Sequence, residues 1–172
     1  MDLLKYCEWL ETTPYALAIR QSDWLFPVIE TVHVIALALS VGTIMFVDLR
    51  LVGIGMTGYR LSSVVEQLQR WTLGGFAVMF TSGAMLVPAH AAIYYQSPFF
   101  RLKLLFLLLA GLNAGLFHLT IYRKVDCWEQ HAFPLYARFA GVFSLVIWAM
   151  VVLLGRAIAY GTEVFPWITK LL

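Results

Sequence analysis

Four long apolar stretches constrain the fold of this chain more than any other feature of the sequence. Each contains about 20 residues, the length that an α-helix needs to cross roughly 30 Å of hydrocarbon. The 172 residues are 61% hydrophobic and only 13% charged, whereas about a quarter of the residues of a soluble protein are charged. We therefore predict an all-α integral membrane protein, a four-transmembrane-helix bundle that forms a single domain over residues 1–172. An enzyme built on an extramembrane domain is excluded, because little chain remains outside the spans.

Helix signals give approximate bounds to these elements. The predicted spans cover about residues 25–48, 72–94, 98–122 and 138–160. Before the first span, residues 3–19 have apolar and acidic side chains on different faces, which predicts an N-terminal amphipathic helix in the membrane interface, interrupted at Pro14. Ser97 and Pro98 have the residue types of a helix cap and a first helical position, so the third span is expected to begin there. The segment from 53 to 70 is predicted to be a polar connection.

Four spans leave both termini on one side of the membrane, called here the first side. Lys and Arg residues divide six to six between the sides: Lys5, Arg20, Arg101, Lys103, Arg156 and Lys170 on the first, and Arg50, Arg60, Arg70, Arg123, Lys124 and Arg138 on the second. Setting aside Lys103 and Arg156, which lie within spans, leaves four against six. The positive-inside rule then favours a cytoplasmic second side, so we expect a bacterial inner-membrane protein with periplasmic termini. The formal net charge of +2, without a basic run, gives no basis for a nucleic-acid partner.

Ionisable side chains inside the spans are the strongest functional signal in the sequence, because each costs at least ~2.5 kcal/mol on insertion scales. At about 1.5 Å of rise per residue, five of them lie roughly 6 to 12 Å below the first side: Glu30, His33, His90, Lys103 and Arg156. Helical phase predicts that Glu30, His33 and Asp48 share a face of the first span that points into the bundle. A smaller group at the second-side end contains Asp48, Arg50, Asn113 and His118. His118 is alone on its face, which is more typical of a packing histidine than of a ligand.

A haem b site is the first functional hypothesis for the first-side layer. Haem iron needs axial ligands from facing helices at similar depth, and its propionates need cations near the interface. His33 could pair with His90 or Lys103 as axial ligands, and Glu30 could orient His33. The candidate propionate partners are Arg156, Arg101 and Arg20. The protein would then act in electron transfer or in the oxidation of a small hydrophobic substrate.

Two other hypotheses remain open from the residues alone. One is a copper transport protein with soft or borderline ligands along a path, namely His33, His90, Met45, Met79 and Met85. The other is a non-catalytic subunit, in which Glu30 pairs with Arg156 or Lys103 only to hold the helices in register. The G-x-x-x-G pattern of Gly111 and Gly115 would allow close helix contact within one chain or in a homodimer. Cys127 and His131 are spaced as metal ligands, but two ligands are too few for a site.

The chain resembles an uncharacterised bacterial family of four-span membrane proteins in two stretches, WLFPVIETVHVIALALSVGTIMFVDLRLVG (Trp24–Gly53) and FFRLKLLFLLLAGLNAGLFH (Phe99–His118). More distantly, it is similar to the copper-resistance D-type superfamily, which includes four-helix haem-binding protoporphyrinogen oxidases. That similarity rests on His33 early in the first span, and on Lys103 and His118 at the two ends of the third. It implies that His33 and Lys103, ahead of His90, form the haem site. The porphyrinogen substrate is not implied.

Overall fold

The chain forms a bundle of four long apolar helices, which confirms the predicted fold class. The computed structural model describes residues 3–125 and 134–164, and these residues form helices and turns without any strand. The helices long and apolar enough to cross a membrane are Leu25–Val52, Leu61–Gln96, Pro98–Thr120 and Leu135–Tyr160. Their number and order agree with the sequence prediction.

The N-terminal segment contains two short helices, α1 (Leu3–Glu11) and α2 (Pro14–Gln21). The break falls where the sequence predicts it, because Pro14 occupies the first position of α2 and cannot donate a backbone hydrogen bond to α1. Thr13 caps α2, since its hydroxyl oxygen accepts a hydrogen bond of 3.4 Å from the backbone N–H of Ala16. The helix that was predicted to lie in the membrane interface is therefore a pair of short helices.

The first and second spans extend beyond their predicted bounds. Helix α3 (Leu25–Val52) ends at Gly53, whose φ of 88° lies in the left-handed region that terminates helices. Helix α4 (Leu61–Leu86) begins well before residue 72, so the prediction of a polar connection up to residue 70 was wrong. The early start has a packing cause, because Leu61 and Val65 are buried against Leu51 at the second-side end of the bundle.

Pro88 interrupts the second span before its end. The chain tightens into a 3₁₀ turn at Val87–His90 and continues as α5 (Ala91–Gln96). Helix α6 (Pro98–Leu116) then begins as predicted, since the Ser97 hydroxyl oxygen accepts from the backbone N–H of Phe100 at 3.4 Å.

The third and fourth spans are joined by a segment that lies partly outside the described residues. Helix α6 continues through a π-helical turn at Phe117–Ile121 and a 3₁₀ turn at Tyr122–Lys124. Helix α7 covers Leu135–Val164. Cys127 and His131, which the sequence suggested to be ordinary loop residues, are outside the described part of the chain.

Helix α3 is the central element of the bundle. It packs along both α4 and α7, while α6 packs mainly along α7. Gly75 permits the close α3–α4 contact, because a Cβ at that position would collide with the Ser40 hydroxyl. Gly111 and Gly115 have no neighbour within 4 Å of the place where a Cβ would stand, so neither glycine lies at a close helix contact in the described part of the chain. Helix α4 thus packs on α3 and helix α6 on α7, while α4 and α6 have little direct contact with each other.

Candidate functional site

His33 is held in one orientation by α4. Its Nδ1 lies 3.0 Å from the hydroxyl oxygen of Ser82, and that hydroxyl donates to the backbone carbonyl of Val78 at 2.7 Å. In the arrangement in which this hydroxyl donates to Val78, its oxygen accepts the hydrogen bond from Nδ1–H of His33. This assignment leaves the lone pair on Nε2, the nitrogen that a metal or a proton donor could reach.

Gly83 provides the space for this imidazole. A Cβ on Gly83 would stand 3.1 Å from Cε1 of His33, tighter than ordinary van der Waals contact. Any larger residue there would therefore displace the ring or separate α3 from α4. Ser82 and Gly83 together hold the His33 ring in place. The sequence did not reveal this role, because it depends on the register of α3 and α4.

Lys103 and Glu30 lie in the surroundings of His33. Both are close enough to its ring to interact with it electrostatically, and Glu30 interacts in the same way with Tyr94. The half-buried Lys103 extends from α6 to α7, where its Nζ would lie 3.5 Å from a Cβ on Gly155. The structure thus brings together three of the residues that the sequence singled out.

Helical phase correctly predicts the buried face of α3 only in part. Ser40 and Asp48 are buried, His33 is half-buried and Glu30 is exposed. The face that was expected to point into the bundle along its whole length is therefore open at its first-side end. In the described part of the chain, Glu30 makes no direct ion pair with Lys103 or Arg156.

His90 lies in an aromatic cluster next to this group. Its ring packs edge-on against Phe26, with centroids 5.7 Å apart, and against Tyr94, with centroids 6.1 Å apart. Tyr94 stacks in turn on Phe100 at 5.4 Å. Tyr94 contacts His90 and also interacts electrostatically with Glu30, so it links His90 to the group around His33.

The arginines proposed as propionate partners have different surroundings. Arg156 is exposed and its guanidinium lies 4.9 Å from the ring centroid of Tyr160. Arg101 lies over the Tyr95 ring at 5.4 Å. Arg20 is 3.9 Å from the Glu11 carboxylate, which also accepts the backbone N–H of Ala92 at 2.8 Å, and this bond links α1 to α5. Arg156 and Arg101 therefore remain at the surface with their charge uncompensated by a carboxylate in the described part of the chain, unlike Arg20.

The residues of the copper hypothesis differ in their surroundings. Among residues 3–125 and 134–164, no group of three or more His, Cys, Asp or Glu residues is placed to hold a metal ion. Met79 is buried, whereas Met45 and Met85 are exposed at 43% and 37%. The three thioethers thus lack a common environment.

A second polar site lies at the other end of the bundle, around a cavity of about 190 Å³. All four long helices line it, and Asp48 of α3 is its most buried ionisable residue, only 5% exposed. The Oδ2 atom of Asp48 has no hydrogen-bond partner in the described part of the chain, although the buried Ser144 hydroxyl of α7 faces the same carboxyl group. His118 also lines the cavity, with Nδ1 at 3.1 Å from the Ala114 carbonyl in its own helix.

Hydroxyl groups also lie along the α3–α4 interface between the two sites. The Thr72 hydroxyl donates to the Thr43 hydroxyl across the two helices at 2.8 Å, and the fully buried Ser40 hydroxyl donates to the carbonyl of Ala36 at 2.7 Å. Interhelical hydrogen bonds of this kind contribute about 0.6 kcal/mol each in membranes. The sequence analysis missed the Thr43–Thr72 pair, although both are hydroxyl residues within apolar stretches.

Four apolar helices around buried hydroxyl and ionisable side chains define an integral membrane protein of the four-helix-bundle class. The chain belongs to a family of unknown function, DUF6644, whose model matches residues 6–161. This membership confirms the resemblance to an uncharacterised family. No curated protein and no solved structure matches the chain.

Proposed function

We propose that this protein binds one haem b at the first-side layer and acts in electron transfer or in redox chemistry within the membrane. The observation that carries the proposal is the contact between His33 Nδ1 and the Ser82 hydroxyl: when that hydroxyl donates to Val78, Nδ1 carries the proton and Nε2 presents a lone pair. Histidine ligands of metals characteristically donate the other ring N–H to a fixed acceptor in this way.

Other side chains near His33 have the chemistry that a haem b would need. Lys103 comes from a different helix and interacts electrostatically with His33, and the resemblance to the haem-binding superfamily makes it the preferred second ligand. His90 is the alternative, and Glu30 would act as a charge that modulates His33. Arg156 and Arg101, exposed at the surface, would pair with propionates. Haem b, when bound, would supply a one-electron Fe(III)/Fe(II) couple.

The same proposal includes the membrane, the orientation and the redox partner of the protein. The count of four against six Lys and Arg residues supports a bacterial inner-membrane protein with both termini in the periplasm. The haem would then lie near the periplasmic face. Such a protein would exchange electrons with a redox partner or a second copy of itself, and it would be a membrane oxidoreductase if it oxidised a small hydrophobic substrate directly.

Absorption spectroscopy of the purified protein tests the proposal. The chain is expressed in cells supplied with a haem precursor, and spectra are recorded in the oxidised and dithionite-reduced states. We expect a Soret band that shifts on reduction and about one haem b per chain by pyridine haemochrome assay. A colourless protein that remains colourless after titration with haemin would refute the proposal.

Single variants then assign the ligands. His33→Ala should lose the Soret band, and Lys103→Met should shift it or convert the haem to a high-spin spectrum. His131→Ala is the matched control, because the sequence places it in a connection, and it should keep the wild-type spectrum. Retention of the full spectrum by His33→Ala would contradict the assignment of His33, and loss in His90→Ala but not in Lys103→Met would make His90 the second ligand.

A further inference from the structure

One oxygen of the buried Asp48 carboxyl group lacks a hydrogen-bond partner among the described residues, although the Ser144 hydroxyl faces the same group. Oδ2 is buried and unpaired in the described part of the chain, while Asp48 as a whole is 5% exposed. Leaving a buried polar atom without a partner is unfavourable, and native structures contain few such atoms. A ligand with a hydrogen-bonding group at this point would remove the defect.

The space next to Asp48 is large enough for such a ligand. The cavity has a volume of about 190 Å³, and an engineered apolar cavity of about 150 Å³ in another protein binds benzene. Three aromatic side chains, Phe76, Phe117 and Trp148, contribute to its walls. One substituted six-membered ring fits this volume and this lining.

The cavity also has an entrance that faces the lipid. Its walls include Gln69 and Leu73 of α4 and Ala114 of α6, and all three residues are exposed. Helix α4 packs mainly on α3, and α6 packs mainly on α7. An apolar compound dissolved in the bilayer can therefore enter between α4 and α6 without crossing water.

We propose that this cavity is a binding site for a neutral, hydroxylated single-ring compound of the phenol or hydroquinone class, whose hydroxyl group hydrogen-bonds to Asp48. A hydroxyl both donates and accepts, so it pairs with the carboxyl group in its ionised or its neutral form. An ammonium group only donates, and its transfer into an apolar cavity costs far more than that of a neutral hydroxyl. The site is separate from the His33 layer and does not depend on haem.

Equilibrium dialysis against nanodiscs containing the full chain tests the proposal. The probes are 4-ethylphenol, ethylbenzene, which lacks the hydroxyl, and 2-phenylethylammonium, and empty nanodiscs correct for partition into lipid. We expect saturable binding of one 4-ethylphenol per chain, about tenfold tighter than ethylbenzene, the factor that a hydrogen bond of typical strength provides. Tighter binding of 2-phenylethylammonium, equal binding of the two neutral probes, or no saturable binding would overturn the proposal.

Variants show whether Asp48 is responsible for the preference for 4-ethylphenol over ethylbenzene. Asp48→Leu, which has a similar size, should bind 4-ethylphenol and ethylbenzene within about twofold of each other, while Glu66→Gln, an exposed carboxylate of α4, should keep the tenfold preference. If Asp48→Leu does not fold, Ala114→Phe at the exposed entrance gives an independent test. It should weaken both neutral probes by about tenfold, by occupying the space of the ring. A preserved preference in Asp48→Leu, or unchanged binding in Ala114→Phe, would refute the site.

Discussion

Two adjacent glycines of α4 provide a matched test of the α3–α4 contact. A Cβ on Gly75 would overlap the Ser40 hydroxyl and stand 3.3 Å from the carbonyl oxygen of Ala36, in a region where Ser40 is fully buried. A Cβ on Gly74 would have no neighbour within 4 Å. The same substitution to alanine therefore creates a steric clash at one position and none at the next.

The expected difference in stability follows from these contacts. Replacing a helical glycine by alanine stabilises a helix by about 0.5–1 kcal/mol, and this gain is common to both positions. Overpacking a tight interior costs about 1–3 kcal/mol and applies to Gly75 only. Gly75→Ala should thus be less stable than Gly74→Ala by about 1–3 kcal/mol, and Gly74→Ala should be at least as stable as the wild type.

Unfolding titrations in mixed detergent and lipid micelles, followed by far-ultraviolet circular dichroism, would measure the two free energies of unfolding. The double variant Ser40→Ala, Gly75→Ala should recover part of the loss, because it removes the colliding oxygen but leaves the Ala36 carbonyl in place. Equal free energies for Gly74→Ala and Gly75→Ala would refute the α3–α4 register described above.

Two further predictions concern hydrogen bonds of the same interface. Ser82→Ala removes the acceptor of His33 Nδ1–H and should weaken haem binding by about 10- to 100-fold in haemin titrations. Thr81→Ala, whose exposed hydroxyl bonds only within its own helix, should leave haem binding unchanged. A double-mutant cycle with Thr43→Val and Thr72→Val should give a coupling free energy of unfolding of about 0.6 kcal/mol and at most about 1.7. A coupling energy near zero would argue against the bond between the two threonines.

The sequence predicts the spans well because length and hydrophobicity are sufficient to define them. The predicted start of α4 was wrong. Residues 61–70 carry charged side chains, which suggest a connection, but they belong to a helix whose other face packs against Leu51. The grouping of Glu30, His33 and Lys103 could be predicted from depth along parallel axes, since all spans cross the same layer.

The second-side cavity could not be predicted in this way. Asp48 and Asn113 were recognised as polar residues at similar depth, but the cavity exists because α4 packs on α3 and α6 packs on α7, with little contact between α4 and α6. Hydrophobicity contains no information on which helices are neighbours. The contribution of Ser144 was missed for the same reason, because its proximity to Asp48 depends on the α3–α7 contact.

The four spans form two successive helical hairpins, and their order along the chain has a consequence for biosynthesis. Once translation and insertion have reached residue 96, the membrane already contains both partners of the bonds between His33 and Ser82 and between Thr43 and Thr72. The first helical hairpin can therefore satisfy these polar groups before the rest of the chain arrives. Lys103 and the walls around Asp48 are added only by the second hairpin, so the nascent protein would complete both polar sites after its first hairpin has docked.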